Sequence, residues 1–313
     1  MRRWRVFFLG LVLAALISLW IMGERGRLIL PSTIASTRVG GLRRSLNLTA
    51  LDGYIYGRWT NQYIKVLMDR LYPRMGDRAK RFVRNRYHAK LLTQEQAEKI
   101  ILLDKPIDRR DLEQVIPYPM ARDLVIGGPP DVVAYECACR HRRPNHCEPT
   151  QVCRIVGKPF SDFILEHNPQ SSRRLTQSEA IQLLRDERDR GHLHSAWFKD
   201  ACTDRFYSIC NCCKCCCGGI EAMMNYGNPL LASSGYVAQV DDAACLGCST
   251  CEAACPFDAI EVNGVAHIEW DKCMGCGVCE SQCPEDAITL ARDEAKGVPL
   301  DVTLLQAELN EAI

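Results

Sequence analysis

The first 136 residues of this 313-residue chain contain no cysteine, although nineteen follow. Secreted disulfide scaffolds spread their cysteines through a short chain, so this gap and the tight clusters after it argue against a disulfide framework and suit metal ligation. A G-x-G-x-x-G fingerprint is also missing. That leaves no encoded Rossmann loop for a flavin or nicotinamide, and any such cofactor would belong to a partner. No nucleic-acid motif or aromatic-interleaved basic patch is present, so nucleic acid is not expected as a partner. What the chain does have is an ordinary composition, 47% apolar and 25% charged, which excludes wholesale disorder and suits about two domains.

A net charge of +1 conceals a division: residues 1–110 carry 22 Lys+Arg against 8 Asp+Glu, and the remainder 17 against 30. A basic part in front of an acidic part predicts a membrane-facing or anion-facing surface joined to a negatively charged module. Val6 to Met22 is a run of seventeen uncharged residues, about 26 Å as a helix. This nearly matches the roughly 30 Å hydrocarbon core of a bilayer, with Arg5 and Arg25 to snorkel and Trp4 and Trp20 to sit at the interfaces. The run exceeds a signal-peptide core and no small-x-small site follows promptly, so an uncleaved single-pass N-terminal anchor and a membrane localisation are expected. Arg25, Arg27, Arg38, Arg43 and Arg44 outnumber the three arginines before the span, which predicts a cytoplasmic body.

Between residues 45 and 125, Tyr54, Tyr56, Trp59, Tyr63, Leu67 and Leu71 recur at helix-compatible spacing and precede the basic stretch RAKRFVRNRYHAK. The reading is a helical connector whose aromatic stripe packs on the body while its arginines face solvent or lipid headgroups. Thr93 to Gln96 forms a capping box, and a short helix should end before Pro106. A second box, Thr176 to Glu179, predicts a helix over about 177–190 with Gly191 just beyond its end.

Cys245, Cys248, Cys251 and Cys255, followed by Pro256, read C-x2-C-x2-C-x3-C-P, and Cys273, Cys276, Cys279, Cys283 and Pro284 repeat it at an offset of 28. Asp258, Ala259 and Ile260 recur as Asp286, Ala287 and Ile288, so a whole supersecondary unit is duplicated. Three thiolates at this spacing wrap one face of an iron–sulfur cube, after which the chain turns away and delivers the fourth elsewhere. Over about residues 236–292 the chain resembles the bacterial two-cluster ferredoxin domain. The resemblance implies two 4Fe-4S clusters, one held by Cys245, Cys248, Cys251 and Cys283 and the other by Cys273, Cys276, Cys279 and Cys255. Gly247, Gly275 and Gly277 would allow the tight turns around the ligands. Tetrahedral zinc is the alternative use of C-x-x-C pairs. Residues 236–296 carry three Lys+Arg against twelve Asp+Glu, which predicts a redox partner with a basic docking surface and a salt-sensitive encounter.

Upstream stand Cys137, Cys139, Cys147 and Cys153, then Cys202, then Cys210, Cys212, Cys213, Cys215, Cys216 and Cys217, six thiols within eight residues. Thiols so dense are hard to keep free of metal in a reducing cell. At least one further iron–sulfur cluster is expected, with ligands drawn from both groups other than Cys202, and with Arg140, His141, Arg142 and Arg143 offsetting thiolate charge. Neighbouring cysteines in an extended chain point to opposite sides, so they are able to serve two sites. A zinc site and a thiol relay are the alternatives. Cys216-Cys217-Gly218 is similar to cysteine-rich motifs of heterodisulfide-reductase-like proteins, although the full two-motif pattern is absent. His192 and His194, just past a helix end, are expected to be structural.

These readings predict an α+β chain in five parts. They are a transmembrane anchor over 1–24, a basic, mainly helical connector over 25–130, a cysteine-rich cluster-binding module over 131–235, a ferredoxin-like domain with a pseudo-twofold repeat over 236–292, and a tail over 293–313. Residues 50–292 are similar as a whole to membrane-associated ferredoxin-like proteins of anaerobic bacteria, which implies electron transport by a carrier or an oxidoreductase subunit. The competing expectation is a reductase whose upstream cluster is catalytic and is fed by the ferredoxin domain. No catalytic residue is assigned.

Overall fold

The computed structural model describes residues 2–23, 29–39 and 48–311. Among these the strands run in chain order as β1 (Tyr87–Leu92), β2 (Ile107–Arg109), β3 (Leu124–Ile126), β4 (Val132–Tyr135), β5 (Cys153–Val156), β6 (Ser172–Leu175), β7 (Leu193–Lys199), β8 (Arg205–Cys212), β9 (Leu231–Ala232), β10 (Tyr236–Val240), β11 (Ile260–Asn263), β12 (Val265–Ile268) and β13 (Ile288–Arg292). Seven of them form one sheet in the order β6-β4-β5-β8-β7-β1-β9. Its neighbours are antiparallel except for the parallel pair β1 and β9.

Side chains alternate across a strand, so each face of this sheet builds its own core. Leu92, Ala196, Phe198, Phe206 and Ile209 pack with apolar residues of the helices Gln94–Ile101 and Gln177–Asp189. Both helices start at the capping boxes legible in the sequence: Thr93 accepts from the Gln96 N–H, Thr176 from the Glu179 N–H, and both reciprocal bonds are made. On the other face Ala89, Leu91, Leu193, Trp197, Tyr207 and Cys212 share a core with helix Phe160–His167 and with the C-terminal cysteine repeat.

That repeat is two βαβ halves. In the first, β10 and β11 flank helix Thr250–Ala254, and in the second, β12 and β13 flank helix Val278–Gln282. β10 pairs with β13 and β11 with β12, both antiparallel, so the halves exchange partners across a pseudo-twofold axis.

One expectation needs correction. Among the described residues no helix is long and apolar enough to cross a membrane. A helix does run over Arg2–Gly23, but its uncharged stretch, Val6 to Gly23, is eighteen residues, about 27 Å against roughly 30 Å of hydrocarbon. The transmembrane helix in the expected fold class, and the single-pass anchor and membrane localisation drawn from it, are therefore withdrawn. The orientation argument fares no better, because Arg25, Arg27, Arg43 and Arg44 lie outside the described residues. Helices outnumber strands among the described residues of 25–130, and this part also supplies β1, which pairs with β7 along its full length inside the large sheet. His88 and Lys90 are buried there, and two polar residues in Tyr87–Leu92 hide the apolar pattern that marks a buried strand.

Candidate iron–sulfur centres

The duplicated motif is reproduced in backbone angles as well as in residue types. Gly247 and Gly275, 28 apart, both have φ of 63°, and Asp258 and Asp286 have 49° and 51°. Ser249 at 62° matches Gly277 at 77°, each standing immediately before its short helix. At Gly247 a Cβ would collide with the Gly264 carbonyl oxygen, and at Gly275 with that of Tyr236. The short helices end in extended backbone at Cys255 and Cys283, just before Pro256 and Pro284, and there each fourth thiol turns to the other half's cavity. One small cavity is lined by Cys245, Cys248, Cys251 and Cys283. Another is lined by Cys255, Cys273, Cys276 and Cys279.

Matched backbone donors accompany the crossing thiols: the Ala259 N–H lies 3.4 Å from Cys255 Sγ and the Ala287 N–H 3.3 Å from Cys283 Sγ. The two cavities differ in exposure. Cys255, Cys273 and Cys279 are buried, whereas Cys248 is exposed beside Leu246, which is 71% exposed. Burial pushes the Cys276 thiol up to about 12, while hydrogen bonding by Thr250 holds Cys248 below the ordinary thiol value. The first site is thus the one open to an encounter from solvent.

Residues 238–290 match the 4Fe-4S dicluster domain. The C-terminal part of the chain is therefore an iron–sulfur, ferredoxin-like domain. No curated protein matches the chain.

Against the face of the large sheet that carries the ferredoxin-like domain, the eleven upstream thiols divide. Cys137, Cys139, Cys153, Cys210, Cys212 and Cys217 line one cavity of about 440 Å³, which Cys213 and Cys216 also border. Cys153 Sγ and Cys210 Sγ are 4.0 Å apart across the paired strands β5 and β8. Neighbouring thiols and burial together push Cys139 and Cys217 well above the ordinary thiol value. Cys147, Cys213, Cys215 and Cys216 form a separate group nearer the surface, with all four Sγ atoms within 4.8 Å of one another. Cys202 also borders the cavity of about 440 Å³. It is buried near Lys199 and Asp52, and burial raises it to about 12. The divergence of adjacent cysteines is real: Cys212 and Cys217 contact each other, while their neighbours Cys213 and Cys216 turn to the second group.

The basic residues expected to balance thiolates are engaged largely by carboxylates. Arg140, fully buried, pairs with Glu187 at 2.7 Å. Arg142 meets Asp69 and Glu221, Arg143 meets Glu221 at 2.9 Å, and His141 meets Glu136 at 2.7 Å. A further buried cation, one the sequence did not single out, lies on the face of the sheet opposite Cys153 and Cys210, in register with Ile209. Arg154 on β5 is 0% exposed. Its Nη2 donates to Asn211 Oδ1 at 2.7 Å, while Nε and Nη1 have no protein hydrogen-bond partner. Burial pulls its pKa down to about 10, against which Cys210, Cys153 and Glu187 act in the opposite direction.

Three tyrosines also escaped notice as a group. Tyr56 is in the anticipated aromatic stripe, Tyr87 begins β1 and Tyr207 lies on β8. All three border the large cavity, with Tyr56 Oη 2.7 Å from Tyr207 Oη and 3.3 Å from Tyr87 Oη. The pairing of β1 and β8 with β7 and the packing of helix Leu48–Arg58 assemble them, so no local pattern signals the set. His192 bonds Glu187 at 2.8 Å, and His194 lies between Asn211 and Gln94 at 2.8 and 2.7 Å, positions within the packed structure.

Proposed function

We propose that this is an electron-transfer protein with two 4Fe-4S clusters in its ferredoxin-like domain. The ligand sets are Cys245, Cys248, Cys251 and Cys283, and Cys273, Cys276, Cys279 and Cys255. A further cluster is bound upstream by ligands from Cys137, Cys139, Cys153, Cys210, Cys212 and Cys217. When bound, such clusters supply one-electron chemistry. The C-terminal assignment is supported by two cavities, each lined by one crossed quartet of thiols.

The upstream assignment rests on Arg154. A buried cation without a contacting carboxylate costs several kcal/mol; among the described residues Arg154 makes no ion pair, and Glu187 acts on it only from beyond contact. An anionic group held by Cys153 and Cys210, on the other face of the sheet, would offset the rest of that charge, and thiolate-ligated iron and sulfide is anionic. The chain's residues then have distinct tasks. The six cysteines bind, Arg154 balances charge, and the sheet face and the helices over 48–72 keep water out.

The acidic surface of the ferredoxin-like domain, twelve Asp+Glu against three Lys+Arg over 236–296, fits a basic redox partner approaching the exposed Cys248 side. The experiment that tests the reading is iron and acid-labile sulfide per chain, with EPR of the reduced protein, after isolation without oxygen. About twelve irons are expected, and about eight would confine clusters to the ferredoxin-like domain.

One observation favours a second reading, a reductase acting at the upstream site. The cavity of about 440 Å³ is larger than the thiols need and falls in the size range of ligand pockets. It also presents the hydroxyls of Tyr56, Tyr87 and Tyr207, groups able to donate to a bound substrate. Turnover of a small electrophile that is lost in Tyr207→Phe, with the iron content intact, would select this reading over simple carriage.

A further inference from the structure

We propose that Cys147, Cys213, Cys215 and Cys216 form a mononuclear tetrathiolate zinc site, separate from every iron–sulfur centre. The argument is one of size. Cys147 Sγ is 3.0 Å from Cys215 Sγ, Cys215 Sγ is 3.4 Å from Cys216 Sγ, and all four lie within 4.8 Å of one another. A zinc ion bonded to sulfur at about 2.3 Å holds its four thiolates roughly 3.8 Å apart, so a single ion at the centre reaches all of them. A cube differs, since each thiolate binds a different iron at a different corner and the four sulfurs stand further apart. The ferredoxin-like domain is the internal control. Among the described residues, Cys147, Cys213, Cys215 and Cys216 are the one group whose ligand atoms converge this closely, and neither C-terminal quartet does.

The chain around the site suits a structural ion. Cys213, Cys215 and Cys216 come from the turn between β8 and helix Gly218–Met224, and Cys147 from the loop between helix Ala138–His141 and β5. Neither segment is held in a sheet. One ion would tie the loop to the turn across 66 residues of sequence, from Cys147 to Cys213. Cys215 is exposed, which lets the ion enter from solvent. Binding takes the proton from each thiol and releases it to water, with no change of oxidation state. The consequence reaches the neighbouring domain, because the same turn carries Lys214, whose Nζ is 2.9 Å from Asp258 in the first cysteine motif. The ion would thus be a redox-inert clamp that fixes the turn against the ferredoxin-like domain. This inference does not depend on whether the six deeper thiols bind a cluster.

The test is zinc and iron per full-length chain, isolated without oxygen, with zinc-edge X-ray absorption. The expected result is about one zinc with four sulfurs at about 2.3 Å. In the double variant Cys147→Ser/Cys215→Ser, zinc should be lost with iron content and reduced-state EPR unchanged. Loss of iron from that variant, zinc bound through nitrogen or oxygen, a single iron at the site, or no metal on alkylatable thiols would each overturn the proposal. Cobalt exchange into the unmodified protein keeps the test open should the variant fail to fold. Intense thiolate-to-cobalt absorption is expected there, and its absence counts against the site.

Discussion

Arg154 concentrates the residue-scale argument, because its charge is buried with one amide oxygen in contact and only Cys210, Cys153 and a more distant Glu187 to balance it. In Arg154→Met the iron count should fall by about four while the EPR of the ferredoxin-like domain persists, and Arg154→Lys should retain part of the loss. An unchanged iron count in Arg154→Met would remove the main support for an upstream cluster. His88 gives a second prediction at this scale. It is 0% exposed, stacked 4.0 Å from the Tyr118 ring, and burial lowers it from the usual 6.5 to about 4. Between those values the unfolded chain binds the proton and the folded chain does not. Its contribution is therefore fully present above pH 6.5 and is lost as the pH falls toward 4, by up to about 3 kcal/mol. Denaturant midpoints measured from pH 7.5 to 5.5 should fall more steeply for the unmodified protein than for His88→Asn. Parallel slopes would show that His88 does not carry the effect.

At the scale of elements, what is written locally is what the structure realises. The boxes at Thr93 and Thr176 start helices because the cap and its partner are three residues apart, within reach before any tertiary contact forms. Thr176→Ala should cost about 1 kcal/mol, read as a lower denaturation midpoint without loss of iron. Gly275 is the harsher test. Its φ of 63° and the approach of the Tyr236 carbonyl leave no room for a Cβ, so Gly275→Ala should disrupt the second cysteine turn. Iron should fall in that variant, and an unperturbed iron count would mean that the β10 backbone yields at no cost. Strand β1 shows the opposite case. It reads as the end of a basic helical stretch, and only its place between β7 and β9 explains why His88 and Lys90 are tolerated inside.

Over the whole molecule, one apolar cluster joins the large sheet to the ferredoxin-like domain, with Trp197 and Tyr207 on one side and Phe257, Val278 and Ile288 on the other. Polar contacts reinforce it, including Ser281 Oγ to the Arg188 carbonyl at 3.2 Å and Gln282 Nε2 to that of Asp189 at 3.1 Å. A shared core predicts joint unfolding. Cluster absorbance and far-ultraviolet circular dichroism, followed together through a denaturant titration, should give coincident midpoints. A separate, earlier loss of one signal would show the two parts to be independent units. The division of charge along the chain predicts in turn that reduction of a basic partner slows steeply with added salt, since exposed charges are screened over about 10 Å at 0.1 M.

The sequence alone determined the iron–sulfur character of the C-terminal domain, the crossed quartets as an expectation, and the starts of two helices. In each case the residues lie within one turn or one repeat, so spacing already encodes geometry. It did not determine how the upstream thiols divide, because Cys153 meets Cys210 only through the pairing of β5 with β8, and Cys147 meets Cys215 only through the packing of two loops. Arg154 is invisible in a string because its meaning lies in the partner it lacks once buried. The N-terminal apolar run misled for a related reason: a length close to the bilayer thickness suggested a span, and among the described residues no helix meets that requirement. Local chemistry is legible where ligands are contiguous, and pairing between distant strands decides the rest.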